Sequence, residues 1–332
     1  MTKIPYLDGW RGCAILAVLF GHFVAAAPLN AGRFGVELFF VLSGRLMAEI
    51  LFVQEKPLSQ FYPRRLSRIY PALIIFVGAM FAAGVALDRE PTAAQTLAAL
   101  TFTLNYLNPV VGNAGALDHI WSLCIEEQMY VLLGIVALIH RKRRLPVVPI
   151  FAALALFGNV NGALQTAAGG NYHEVYWRTD VRGASLLLGV VAFLAIREGA
   201  AERMPWLGPV LFAIGAALNL NAVADPVKYS LGTAALAVSL VVMAQAPATV
   251  LAFLAKPALT HIGVWSYSLY LWQQPFYKLP ISPALKLAMV PVIFAVALAS
   301  YYLVERPARD KLNAIFGGGR AGPIERQATL AP

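Results

Sequence analysis

The sequence predicts an all-α fold: a polytopic membrane helix bundle of about 10 transmembrane helices plus one short partial or re-entrant segment. Three observations carry that expectation. Of the 332 residues, 59% are hydrophobic. Only 13% are charged, where a soluble domain averages roughly 25%. Apolar runs of membrane-spanning length recur along the whole chain rather than at one end, which excludes a soluble domain with a single anchor.

Taken in order, the spans fall at 10–27, 33–52, 69–87, 120–140, 147–165, 181–197, 206–223, 229–246, 262–277 and 286–304. The first follows a short stretch with one lysine and no small-residue cleavage site, so no signal peptide is expected. Between the third and fourth spans, 97–109 is too short to cross. It contains "TFTLNYLNP" and leads into "VVGNAGALDH". Such backbone is tolerated at membrane depth only when protein covers it, so a buried partial or re-entrant segment is expected. From about 313 the chain turns Gly/Pro-rich and polar. That predicts a disordered cytoplasmic tail over 313–332 and a single transmembrane domain over 1–312. Cys13 and Cys124 both fall in apolar runs, where a disulfide is not expected and no metal-ligand spacing exists.

The net charge of +9 would suggest nucleic acid in a soluble domain. Here the positive-inside rule accounts for it, and no nucleic-acid partner is expected. With the N-terminus inside and 97–109 not crossing, 18 of the 26 basic residues collect on the inner side and 7 on the outer, with Arg45 inside a span. Full crossing by 97–109 would move "HRKRR" outside, which the rule disfavours. Both termini are therefore expected in the cytoplasm.

Charged groups within spans cost a few kcal/mol each and usually mark function. They are His22, Glu37, Arg45, Glu126 and Glu127. Counted at about 1.5 Å per residue from the outer span ends, His22, Glu37, Glu126 and Glu127 lie about 6–10 Å deep, in one layer, and Arg45 about 18 Å deep. A histidine oriented by a carboxylate is a general-base arrangement. The competing reading of each group alone is a structural contact between helices. Arg11, in "YLDGWRG", shares a helix face with His22 about 16 Å away. Asp8 is expected to cap that helix.

"FYPRRLSRIYPAL" supplies Arg64, Arg65 and Arg68 on the cytoplasmic side. Arg65 and Arg68 are spaced to point the same way on a helix, and arginine forks suit phosphate. Topology signalling or contact with anionic lipid is the plainer reading.

Five stretches in order, "YLDGWRGCAILAVLFGHF", "GRFGVELFFVLSGRLM", "FYPRRLSRIYPAL", "WSLCIEEQMYVLLG" and "IGVWSYSLYLWQQPF", resemble the acyltransferase-3 family of bacterial integral-membrane acyltransferases across most of 5–305. The resemblance implies transfer of an acyl group, commonly acetyl from acetyl-CoA, to a hydroxyl of a carbohydrate, small-molecule or envelope-linked acceptor at the bacterial inner membrane. By motif, His22 matches the family's essential histidine and Arg11 its conserved arginine. Arg65 and Arg68, with Arg64 beside them, match the R-x-x-R pair of the CoA donor site. Glu126 or Glu127 matches the acid of the W-S-L stretch, and Glu37 the acid before "LFFVLSG".

Trp121, Tyr270, Trp272, Gln273 and Arg45 are candidates for the substrate path. Gln273 stands where many members carry histidine, and Arg45 where an aromatic residue is usual. The expected scheme holds acyl-CoA, a co-substrate rather than a bound cofactor, by its phosphates at the inner face. The pantetheine arm then threads toward His22, which acts as base with Glu37 or Glu127 behind it. A covalent acyl-His or acyl-Cys13 route stays open. No appended esterase-like domain is expected, so transfer finishes within the membrane domain. A transporter or flippase that uses buried His and Glu as a proton relay is the competing class, and a purely structural or sensory membrane protein is a third. No inverted repeat supports a transporter.

Overall fold

The computed structural model describes residues 4–24, 28–196 and 199–316. The chain is all-helical. Among the described residues no strand forms, and one isolated bridge joins Leu29 to Leu220. Helix α1 (Pro5–Phe23) opens on a proline at its first position, where the missing N–H costs nothing. Asn30 caps α2 (Ala31–Ala48) by accepting from the Arg33 N–H at 3.1 Å. A π-helical turn, Glu49–Val53, extends α2. Then follow α3 (Leu58–Leu87), α4 (Ala93–Leu100), α5 (Leu104–Val111), α6 (Ile120–Arg143), α7 (Val147–Ala167), α8 (Tyr172–Tyr176) and α9 (Thr179–Ala195). The chain ends with α10 (Leu207–Leu218), α11 (Asp225–Val227), α12 (Thr233–Val242), α13 (Ala248–Leu254), α14 (Pro257–Tyr277), α15 (Pro283–Ala288), α16 (Val290–Ser300) and α17 (Arg306–Phe316). Both cysteines are free.

Helices α1 and α2 form the centre. Helix α1 packs between α2 and α14, and α9 packs between α2 and α7. The approach of α14 to α1 is close enough that a Cβ on Gly263 would fall on the Asp8 carbonyl, so glycine is required there. Helix α3 stands to one side, joined to the bundle through α4, α14 and α17.

Each of the ten expected ranges falls largely on helix, yet the count of ten spans is not reached. Among the described residues five helices are long and apolar enough to cross a membrane: Leu58–Leu87, Ile120–Arg143, Val147–Ala167, Asp225–Gln245 and Pro283–Phe316. A sixth follows if Ala248–Leu254 and Pro257–Tyr277, bent by 48°, count as one. The shortfall has a physical cause. Helices α1 and α2 carry Asp8, Arg11, His22, Glu37 and Arg45 among protein neighbours, so their composition need not match lipid, while α9, with 17 residues, and α10, with 12, are short.

Two further expectations change. The basic stretch 61–68 is not a loop, because α3 starts at Leu58, well before the expected 69. Residues 313–316 are not tail, because α17 runs to Phe316 and the Ser67 hydroxyl donates to Asn313 at 2.9 Å. The remainder of the expected tail lies outside the described residues. The expected partial segment 97–109 is two short helices, α4 and α5, with a break at Thr101–Thr103. A capping box of Thr92 and Gln95 starts α4. Gln128 on α6 donates to the Phe102 carbonyl in the break at 2.6 Å, which satisfies backbone left free there.

Candidate active site

The α3 arginines set one end of the site. Because α3 is helical through 64–68, Arg64, Arg65 and Arg68 all reach one cavity of about 460 Å³. That lies within the usual range for small-molecule sites, roughly 300–1,000 Å³. Arg11, Asp8, Lys56, Glu49 and Glu126 also line it, so five basic groups face three acidic ones, above apolar walls from α2 and α14.

Arg65 is fully engaged. It bonds Glu126 at 3.3 Å and Glu127 at 3.2 Å and lies 4.0 Å over the Tyr130 ring. Ser43 donates to Glu126 at 2.9 Å, and Tyr130 donates to its other oxygen at 2.9 Å. Arg11 pairs with Asp8 at 2.8 Å. Asp8 lies within the first turn of α1 and caps nothing, since Ile4 holds the cap position. Among the described residues, the guanidinium groups of Arg64 and Arg68 make no hydrogen bond or ion pair within the chain.

His22 sits at the far end of α1. Its Nδ1 is 2.6 Å from Gln273 Oε1, and its ring stacks on Tyr277 with centroids 4.3 Å apart. The cavity stops one helical turn short of it. Tyr270, at the deep end, is three residues before Gln273. Its hydroxyl lies 2.7 Å from the Ser122 hydroxyl and donates to the His119 carbonyl at 2.6 Å. Tyr270 and Ser122 line the cavity and His22 does not.

The expected layer of His22 with three carboxylates does not form. Glu126 and Glu127 meet Arg65 instead, because α6 begins inside the protein. Residues 117 and 120 are fully buried beneath α4 and α5, so counting depth from Ile120 as an outer surface misplaced the acids. Glu37 is also elsewhere. It pairs with Arg182 and accepts from Ser185 at 2.8 Å and Thr233 at 2.7 Å, wholly buried. Gly32 is the α2 residue beside the His22 ring. Glu37, five residues on, is turned by about 140° toward α9 and α12. Gln273, expected on the substrate path, is the His22 partner.

The remaining expected positions divide. Tyr270 lines the cavity. Trp121 packs against Phe40 and Tyr176, with centroids at 6.1 and 4.9 Å. Trp272 packs on Phe76 of α3 at 5.3 Å, away from the cavity. Arg45 bonds Glu49 at 3.0 Å and stands over Phe193 at 4.9 Å. The sequence reading missed His119, which is buried with its ring 5.0 Å from Tyr270. It sits one residue before α6, and charges were sought only inside spans. It also missed Tyr130, which the i,i+4 spacing from Glu126 would have found.

A buried arginine–carboxylate cluster at one end of a cavity that stops one turn short of a histidine, on a helical bundle with apolar spans, defines a membrane protein built around charged chemistry. Residues 4–304 match the acyltransferase-3 family, described as an acyltransferase domain. The chain belongs to this family and carries its acyltransferase domain.

It is 28% identical to "O-acetyltransferase OatA" of Staphylococcus aureus (strain NCTC 8325 / PS 47) over 348 aligned residues, covering 93% of this chain and 57% of that protein. It is 27% identical to "Putative peptidoglycan O-acetyltransferase YrhL" of Bacillus subtilis (strain 168), covering 93% of this chain and 55% of that protein. The chain thus spans a little over half the length of these curated relatives. No solved structure matches it.

Proposed function

We propose that the protein moves an acyl group, acetyl first among candidates, from acyl-CoA to a hydroxyl of a carbohydrate or envelope-linked acceptor. The observation that carries this reading is the cavity that runs from unpaired arginines to within one turn of His22. Arg68 and Arg64 take the CoA phosphates, and Arg11 and Lys56 add positive charge at the mouth. Arg65 is the fixed post of the cluster rather than a free phosphate hand. The thioester end lies along the apolar wall toward Tyr270, which must turn aside for the acyl carbon to reach His22.

In the transfer step, Gln273 Oε1 accepts from Nδ1–H of His22 and leaves Nε2 as the base. Nε2 takes the acceptor hydroxyl proton as the oxygen attacks the thioester carbonyl. The C–S bond then breaks, and the departing CoA sulfur receives that proton. No enzyme nucleophile is needed. The names of the curated relatives point to O-acetylation, and one points to peptidoglycan as the acceptor class. The charge distribution favours ten crossings, an inner-membrane location, and a cytoplasmic Arg64–Arg68 end with both termini on the same side.

The test has two arms. Protein in lipid nanodiscs should release CoA from acetyl-CoA when a glycan acceptor is added. Cells with the gene should carry O-acetyl groups on an envelope glycan that cells without it lack, read by mass spectrometry. Absence of both would sink the proposal.

A further inference from the structure

A second cavity, of about 190 Å³, lies between α7, α9 and the α11 turn. Asn159, Ala163, Tyr176, Arg182, Asp225 and Tyr229 are among its walls. It lies at the same end of the bundle as His22, opposite the α3 arginines. Three observations make it a built site rather than a packing gap. Among the described residues the buried Tyr229 hydroxyl makes no hydrogen bond, and neither do Nε and Nη1 of Arg182, a side chain only 1% exposed. Buried donors left unmet are costly, so a ligand that meets them is favoured. The charges that line it are balanced, Arg182 against Asp225, and each has a partner of its own: Glu37 for Arg182, and Lys228 at 2.8 Å with Arg33 at 3.9 Å for Asp225. The walls combine aromatic rings, Tyr176 and Tyr229 with centroids 5.2 Å apart, with amide, carboxylate and guanidinium groups.

Balanced charge disfavours an anion. Aromatic faces beside unmet donors suit a ring that is apolar on its faces and carries hydroxyls at its edge, and the volume admits one such ring rather than several. Two links tie the cavity to His22. Gly32 abuts the His22 ring, and the next residue, Arg33, pairs with Asp225 and lies 5.4 Å over the Tyr176 ring. On the other side Tyr176 packs on Trp121, whose neighbour Ser122 meets Tyr270.

We propose that this cavity is a neutral sugar subsite. It holds a ring adjacent to the acceptor unit whose hydroxyl reaches His22. The inference rests on the carbohydrate-acceptor reading above and adds to it where the acceptor is gripped. The thermodynamic logic is that binding energy from a non-reacting ring positions the reacting one.

The test uses the full chain in lipid nanodiscs, free of glycoside detergent, with methyl N-acetyl-β-glucosaminide as probe. Saturation-transfer NMR reads contact with the sugar ring protons. Wild type should transfer saturation. Ala163→Phe, which fills the cavity, should abolish transfer while CoA affinity reports an intact fold. Tyr229→Phe, a smaller change, should weaken probe binding about three- to tenfold by removing one neutral hydrogen bond.

No transfer in wild type, or equal transfer in wild type and Ala163→Phe, overturns the proposal. If Ala163→Phe fails to fold, unchanged affinity in Tyr229→Phe overturns it. Displacement of the probe by glycerol 1-phosphate overturns the neutral-sugar assignment in favour of an anion site. Failure of CoA release in wild type counts against the acyltransfer reading alone, since probe binding is measured without turnover.

Discussion

Arg65 and Arg68 share a motif and a cavity but differ in their partners. Arg68→Ala should weaken CoA binding about ten- to a hundredfold, the worth of one charge-assisted contact of roughly 1.5–3 kcal/mol. Abundance should stay near normal, because the Arg68 guanidinium bonds no protein group among the described residues. Arg65→Ala leaves Glu126 and Glu127 without their cation, a loss of about 3–5 kcal/mol for a buried pair. It should therefore show first as a lowered melting temperature. Calorimetric titration of CoA, paired with thermal unfolding of each variant, separates the two. Normal CoA affinity in Arg68→Ala would remove α3 from the donor site.

His22 touches Gln273 and Tyr277, so His22→Ala should fold normally and lose about 10²–10⁴-fold in transfer. Gln273→Leu should lower kcat with donor KM unchanged, since it frees the ring to adopt the wrong tautomer. Substantial turnover in His22→Ala would end its assignment as base. His22 was legible in the sequence because an isolated titratable group in an apolar run is visible without a fold, and Arg68 because it belongs to a basic cluster whose role the family resemblance implies. Their partners were not. Gln273 is 251 residues from His22, and an uncharged amide carries no such flag.

Helix phase decided what Glu37 does, and phase is invisible when residues are placed by depth alone. The side chain ties α2 to α9 and α12, through Arg182, Ser185 and Thr233. Glu37→Gln should lower thermal stability by stranding Arg182. Glu37→Leu combined with Arg182→Met should recover most of it, since a buried pair is often replaceable by packed apolar groups. Donor affinity should be unchanged in both folded variants. A Glu37→Gln protein of normal stability that had lost only turnover would return Glu37 to the chemistry.

Helix α3 teaches a related lesson. Its apolar run begins near 69, but the helix begins at Leu58, because burial of Arg65 against two carboxylates lets a charged segment stay helical inside the bundle. Hydropathy marks where lipid begins, not where a helix does. The α4–α5 segment was legible for the opposite reason: its polar breaks could only be covered backbone.

At the scale of the molecule, sidedness is the testable property. In a background lacking Cys13 and Cys124, cysteines placed at Gln60 and Lys142, both exposed, should react with a membrane-impermeant maleimide only after permeabilisation. A cysteine at Thr166, exposed at the opposite end of α7, should react in intact cells. Reaction of position 142 in intact cells would mean that α4 and α5 cross the membrane between them. All-helical architecture and apolar recurrence were readable from composition. The number of crossings was not, because an apolar run marks a buried helix as readily as a span, and α9 and α10 form helices of only 17 and 12 residues.

The single turn of α14 between Tyr270 and Gln273 has an electrical consequence. An energised membrane exerts about 2.3 kcal/mol per elementary charge per 100 mV. In the proposed scheme the polyanionic carrier stays at the arginine end, outside that field, and the acyl group that passes Tyr270 is neutral. Transfer past this turn would then move no net charge, and the membrane voltage would neither drive nor oppose it. In that scheme the same turn, closed by Tyr270 on Ser122 and the His119 carbonyl, would keep ions from following the acyl group, so the bundle would work as an airlock for uncharged cargo in a membrane that must hold its potential.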